Sequence, residues 1–205
     1  MSHPDPDHSS VSDVSAHKRA LRARARALLT APREPSIDAS IETAVADLVD
    51  RLDPRLVVAY AALRGEVSLD VLCSRLARRG RLVLPRVAAC GLCLHRVDSM
   101  HDLTASRLGI REPSEAAPVV EPGSVALVLA PGLAFDRAGT RLGRGGGMYD
   151  RLLAELSPSC VRVGVGVAAV LWDALPREPH DAPMQGVVTE LGLLAVSVEL
   201  RVRLR

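Results

Sequence analysis

Aromatic residues are nearly absent: one Phe, one Trp and two Tyr make up 2% of a 205-residue chain. That scarcity excludes a broad base-stacking surface of the kind that single-stranded nucleic acid needs. It also requires a core built from Leu, Val and Ala. No apolar stretch is long enough to span a bilayer, so no membrane partner is expected. The opening residues, Met1-Ser-His-Pro-Asp-Pro-Asp-His8, lack the basic and then apolar regions of a secretory leader, which makes the cytoplasm the expected compartment. Four cysteines (Cys73, Cys90, Cys93 and Cys160) are too few for a disulfide framework in a chain of this size. Cys90-x-x-Cys93, with His95 and His101 nearby, is half of a zinc pattern; without a second matched pair it reads as incidental thiols. An excess of charge is missing too. With 26 Lys and Arg against 24 Asp and Glu, the net charge is +2, too small for a general polyanion binder.

What is present is a 48% apolar chain of a length that suits one domain with a sizeable core. Residues 1–13 are polar and Pro-containing and read as a disordered tail, which leaves 14–205 as the single domain. From Val14 to Arg33 there are six Lys or Arg and no acid. An Ala/Arg/Leu-rich helix is expected over residues 14–29, with Lys18, Arg22 and Arg26 at i, i+4 on one basic stripe. That stripe suits a local anion site or a solvated face. Further helices are expected over 37–52, 68–79 (Ser68 as cap, Gly80 as stop) and from the glycine-rich segment to about 156. Strands are expected over 56–60, 82–84, 92–97, 125–130 and 161–167, with an edge strand over 193–204. Several of these are unbroken apolar runs, as in strands covered on both faces. Strands alternating with helices predict a three-layer α/β/α domain with a largely parallel, Rossmann-like central sheet.

One segment carries most of the chemistry: Arg141-Leu-Gly-Arg-Gly-Gly-Gly-Met-Tyr-Asp150, between an apolar strand and a helix. Gly143, Gly145, Gly146 and Gly147 allow a sharp turn that aims backbone N–H groups at an anion, beside the positive end of the helix dipole. Arg141 and Arg144 add guanidinium groups suited to phosphate oxygens, and Asp150 adds a carboxylate able to hold Mg²⁺ near them. No Lys-Ser/Thr follows the glycines, so this is not a P-loop, and the spacing is not that of a dinucleotide fingerprint. A plain glycine-rich turn at a helix start remains the alternative.

The stretch from Pro131-Gly-Leu-Ala-Phe-Asp136 to Arg141-Leu-Gly-Arg-Gly-Gly-Gly-Met-Tyr-Asp150 resembles the signature of the 5-formyltetrahydrofolate cyclo-ligase (5,10-methenyltetrahydrofolate synthetase) family. Other landmarks follow in the family's order from Lys18 to about Glu190: Leu63-Arg-Gly-Glu66, Leu84-Pro-Arg-Val87, Leu108-Gly-Ile-Arg-Glu-Pro113 and Leu175-Pro-Arg-Glu-Pro-His-Asp181. The resemblance implies an ATP- and Mg²⁺-dependent enzyme of folate metabolism that acts on small molecules as a monomer. It assigns ATP binding to Lys18, Arg22, Arg141, Gly143, Gly145, Gly146 and Gly147, and Mg²⁺ to Asp150 and Asp181. It assigns the folate to Ala61, Glu66, Arg144, Met148 and the same glycines 145–147, and catalytic roles to Arg141, Arg144 and Tyr149. His180 beside Asp181 orders that loop or is simply exposed. Met148 stands where the family commonly has the first of two tyrosines; Val170 and Val167 replace a Gln and an aromatic. The alternatives are a paralogue with weak folate turnover and a nucleotide- or RNA-binding regulatory module.

Overall fold

The computed structural model describes residues 8–89, 91–106 and 109–204, with side chains from Val14 onward. Of the tail expected over residues 1–13, residues 1–7 lie outside the described residues, as do Cys90 and Leu108, and residues 8–13 belong to a helix rather than to a disordered tail. In chain order the elements are α1 (His8–Thr30), α2 (Pro35–Leu52), β1 (Val57–Val58), α3 (Asp70–Arg78), β2 (Leu82–Ala88), β3 (Gly91–Arg96), β4 (Thr104–Ala105) and β5 (Arg111–Glu112). They continue with β6 (Leu127–Pro131), β7 (Ala134–Asp136), β8 (Arg141–Leu142), α4 (Met148–Glu155), β9 (Val161–Val165), β10 (Leu171–Trp172), β11 (Gly186–Thr189), β12 (Gly192–Ala195) and α5 (Val198–Arg203).

Seven strands form the main sheet in the order β12-β11-β9-β6-β1-β2-β3. The five inner strands pair in parallel, and β3 and β12 are antiparallel at the edges. Counting only parallel strands, the spatial order is 2-1-3-4-5, the flavodoxin-like form of the doubly wound plan. The winding therefore reverses between β1 and β6. In sheets of this kind, ligands bind at the carboxyl ends of the strands at that reversal.

The apolar runs are explained by burial on both faces. Successive residues alternate sides: Val57 joins a core with Ile41 and Val45 of α2, Leu72 and Leu76 of α3 and Leu200 of α5. Val58 joins the opposite core with Leu152, Leu153 and Leu156 around α4. Ala25 and Leu29 of α1 pack with the first group. The expected three-layer architecture is thus present, with α4 covering one face. Among the described residues, no helix is long and apolar enough to cross a membrane.

Some boundaries differ from expectation for local reasons. α1 starts at His8, six residues before the expected Val14. β2 continues through Pro85, which pairs with Leu94 of β3 on a two-stranded edge. Residues 193–204, expected as one edge strand, divide into β12 and α5. Ser197 is the reason: its hydroxyl accepts from the Leu200 N–H at 3.1 Å and starts a helix. α3 begins after Leu69 rather than with Ser68 as cap.

Phe135, the single Phe, is fully buried, and its ring occupies the space beside Gly132, Gly164 and Gly166. A Cβ at Gly164 would run into that ring. Gly164→Ala is expected to destabilise the fold by about 1–3 kcal/mol in urea titration, the usual cost of overpacking. Adding Phe135→Leu should recover part of the loss, because the two positions share one volume.

Candidate active site

A cleft of about 520 Å³ opens at the carboxyl ends of β1 and β6, the place where the winding reverses. Tyr60 and Ala61 enter it from the end of β1, and Pro131 and Gly132 from the end of β6. The chain leaving β6 forms the β7–β8 hairpin, and the glycine segment then connects β8 to α4. Gly145 has φ +111° and Gly147, the residue before α4, has φ +63°. Both conformations favour glycine, which explains the residue choice at these two positions.

Arg141 is buried against the floor of the cleft. Its Nη2 donates to Asp150 at 2.9 Å and its Nη1 to the Pro131 carbonyl at 3.4 Å. The guanidinium lies over the Tyr149 ring, 5.4 Å from its centroid. Its Nε is buried with no hydrogen-bond partner, so the cleft holds an unsatisfied cationic donor. Burial, then the nearby Glu66 carboxylate, raise the Tyr149 hydroxyl well above its ordinary range, against the opposing pull of Arg141. Tyr149 is therefore a neutral donor at any physiological pH.

α1 supplies the opposite wall, and its basic stripe runs from a buried Lys18 through a half-buried Arg22 to an exposed Arg26. Lys18 Nζ is buried and donates to both Glu178 and Asp181 at 2.6 Å. Arg22 Nε donates to the Gly143 carbonyl at 3.0 Å, and Arg26 reaches the Arg144 carbonyl at 3.5 Å. Burial alone would lower the Lys18 pKa, but the hydrogen bonds it donates to Asp181 and Glu178 outweigh it and raise it. Burial likewise acts to raise Asp181, and the hydrogen bonds it accepts from Lys18 and from the Glu178 backbone N–H reverse that and lower it.

On the β1 side, Glu66 is nearly buried and accepts from Arg144 Nη2 at 2.8 Å and Nε at 3.1 Å. Its second oxygen accepts from the Leu63 N–H at 2.9 Å, so the turn over 63–66 presents the carboxylate to the cleft. Arg33 supports that turn by donating to the Gly65 and Glu66 carbonyls, each at 3.1 Å. The Tyr60 hydroxyl donates to the Val67 carbonyl at 3.0 Å. Arg33, Tyr60 and Glu178 are contributors that sequence reasoning missed. Glu178 lay inside the quoted late motif, three residues before Asp181, and could have been found there.

The structure brings Lys18, Arg22, Ala61, Glu66, Arg141, the glycines, Arg144, Met148, Tyr149, Asp150 and Asp181 to one cavity. It distributes the acids differently from expectation. Glu178, His180 and Asp181 place one ligand atom each within 4.8 Å of one another; Asp150 is not in that group and is bonded to Arg141. Among the described residues this is the one cluster with metal-ligand chemistry, and no Cys–His group joins it. His95 is buried on β3 with Nδ1 against the Ala117 carbonyl at 2.8 Å. Val167 and Val170 are core residues and do not line the cleft.

Such an arrangement defines a class: a doubly wound α/β domain with a cationic, glycine-lined loop and a carboxylate group facing each other at the switch point. Comparison with known proteins specifies it further. Residues 14–190 match the profile of the 5-formyltetrahydrofolate cyclo-ligase family. The 5-formyltetrahydrofolate cyclo-ligase of Mycolicibacterium smegmatis is 34% identical over 154 residues, covering 71% of this chain and 79% of that protein. The Escherichia coli enzyme of the same name is 32% identical over 139 residues, 65% of this chain and 76% of that protein. The solution structure of Aquifex aeolicus 5,10-methenyltetrahydrofolate synthetase superposes with a TM-score of 0.77 at 31% identity, covering 87% of this chain and 92% of that one. The chain belongs to the 5-formyltetrahydrofolate cyclo-ligase family.

The depressed Asp181 carboxyl gives a signed pH dependence. Its stabilising contribution is present above its usual value of 3.8 and is lost as pH falls through the lower folded-state value. In urea titrations from neutral to strongly acidic pH, Asp181→Asn should flatten the acid limb relative to the wild type. Parallel curves would show that the Lys18–Asp181 contact contributes nothing to it.

Proposed function

We propose that this chain closes 5-formyltetrahydrofolate to 5,10-methenyltetrahydrofolate with hydrolysis of ATP to ADP and phosphate. The observation that carries this reading is the meeting of Arg141, Arg22 and Lys18 with the Glu66–Arg144 pair around one cavity. A cationic end for a polyphosphate and a carboxylate-bearing end for a hydrogen-bonding heterocycle then lie side by side.

The formyl carbonyl oxygen is a poor leaving group. It attacks the γ-phosphorus and ADP departs; the N10 lone pair then attacks the formyl carbon. Phosphate leaves with the former formyl oxygen, and N10 releases its proton. Such a reaction calls for positioning and charge neutralisation more than a protein nucleophile. Arg141, Arg22 and Lys18 hold the phosphates, with backbone N–H groups of residues 144–148 at the start of α4. Glu66 and Arg144 orient the pterin, and Ala61 and Met148 pack against it. Tyr149, kept neutral by burial, supports the Arg141 plane and donates its proton only as a hydrogen bond.

The hard oxygen donors of Glu178 and Asp181 fit Mg²⁺, which binds through one or two carboxylates and substrate phosphates. When bound with the nucleotide, the ion would neutralise charge building on the transferring phosphoryl group. Asp150 acts through Arg141, which its 2.9 Å bond orients. On this reading the chain acts as a monomer on small molecules in the cytoplasm. The basic stripe supports the enzyme reading over an RNA-binding module, because Lys18 is turned into the cleft and paired there.

The test is direct. Purified protein, 5-formyltetrahydrofolate and Mg-ATP should produce the near-ultraviolet absorbance of the methenyl product, and no ATP-dependent signal at high enzyme concentration would refute the reading. Arg141→Ala should lower kcat by about 10²–10³-fold, the usual cost of losing a preorganised charge at the transition state. Glu66→Gln should raise the KM for the folate about tenfold, the loss expected for a charged hydrogen bond, with the KM for Mg-ATP unchanged.

A further inference from the structure

Asp136 ends β7, is 2% exposed and does not line the cavity, yet both its carboxylate oxygens are engaged. Oδ1 accepts from the Ala138 N–H at 2.9 Å and the Thr140 N–H at 2.8 Å. Oδ2 accepts from the Leu175 N–H at 2.9 Å. The first two donors belong to the turn that delivers Arg141. The third stands at the start of the stretch that carries Glu178, His180 and Asp181. One buried carboxylate therefore joins the two chain segments that form opposite walls of the nucleotide end.

A second tie lies beside it. The Met184 N–H donates to the Gly139 carbonyl at 2.8 Å, and Gly139 has φ +84°. A Cβ at Gly139 would collide with the Met184 carbonyl oxygen. The far end of the acidic stretch is thus fastened to the same turn as its beginning. The folate end is braced separately, through Arg33 and the Tyr60 hydroxyl.

We infer that Asp136 is a positioning residue that fixes the separation between Arg141 and the Glu178–Asp181 pair, and so sets affinity for the nucleotide without touching it. The inference rests on assigning Arg141 and Lys18 to the ATP phosphates. In Asp136→Asn, either orientation of the amide turns its NH₂ towards backbone donors. The Leu175 N–H or the Ala138/Thr140 pair then loses its acceptor, and an unsatisfied buried donor is costly.

The experiment measures binding of a non-hydrolysable ATP analogue with Mg²⁺, and steady-state KM values for Mg-ATP and for 5-formyltetrahydrofolate. Asp136→Asn and Gly139→Ala are each expected to weaken analogue binding and raise the Mg-ATP KM about tenfold, which is 1.4 kcal/mol. The folate KM should stay within about twofold, and the double variant should lose less than the sum, since both break one brace. A fall in kcat with both KM values unchanged, or equal rises in both, is what a general loss of structure produces, and either would overturn the inference. Where Asp136→Asn does not fold, Gly139→Ala and amide exchange of the wild type carry the test. The Thr140 and Leu175 amides should be protected, and exchange as fast as in an open loop would count against the brace. Wild-type protein that binds the analogue but forms no methenyl product would remove the proposed reaction and leave Asp136 to be judged by binding.

Discussion

The reversal of winding between β1 and β6 is the constraint on which the site depends. Chain leaving β1 turns towards α3 and β2, and chain leaving β6 turns the other way into the β7–β8 hairpin. Two neighbouring strand ends therefore have no crossover above them, and a crevice opens there without any special sequence. What the sequence adds is lining. Small residues after both strands (Ala61 after β1, Gly132 after β6) keep the crevice open, and the glycine segment folds back across its top. α1, which precedes the sheet in the chain, closes the remaining side through Lys18 and Arg22.

Most of the charges in this crevice are already paired among themselves. Lys18 is shared by Glu178 and Asp181, Arg141 is bonded to Asp150, and Arg144 to Glu66. Pairs this deep are weak evidence for stability, since desolvation offsets much of the Coulomb gain. Their effect is on geometry: each cation is held in one place and oriented. A polyphosphate entering here exchanges one partner for another, and the carboxylates it frees are those suited to a divalent cation. The lining carries five cations (Lys18, Arg22, Arg111, Arg141 and Arg144) and five carboxylates (Glu66, Glu112, Asp150, Glu178 and Asp181), so the local charge is balanced, which agrees with a chain of net charge +2. Selectivity then comes from placement rather than from a strong overall field.

Much of the fold was legible because the signals were local. Unbroken apolar runs such as residues 125–130 gave the buried parallel strands, and the i, i+4 spacing gave one basic stripe on α1 without telling which way it faces. The glycine segment was readable as a turn, and its motif identified the family. The misread C-terminal stretch shows the limit of pattern alone. Alternating Val and Leu suits a strand, but Leu200 alone is buried in α5 while Val198 and Val202 are exposed, which is a helical spacing. Pairings across the chain were not legible at all. Lys18 meets Asp181 over a separation of 163 residues, and nothing local to either predicts which carboxylate it takes. For the same reason Asp150 read as a metal ligand, although its neighbour in space is Arg141.

The scarcity of aromatics finally has a spatial meaning. Two of the four rings of this chain line the cavity, and the other two pack on the elements that carry its walls. Phe135 fills the gap left by Gly132, Gly164 and Gly166 beneath it; Tyr60 and Tyr149 line the cavity. Trp172 pairs opposite Asp136 and lies under Arg24 of α1, 5.0 Å from ring centroid to guanidinium. The rest of the core is aliphatic and tolerates volume-conserving exchange. Rings are large and stiff and carry few rotamers, so they fix position where aliphatic side chains would adapt. Placing all of them around the crevice stiffens the floor and the α1 wall, where a misplacement of about 1 Å can cost roughly 10²-fold in rate. The same placement explains why the lone Phe needs three glycines. Its ring packs directly on the backbone at Gly132, Gly164 and Gly166, where a Cβ would meet it, so the ends of β6 and β9 approach it closely.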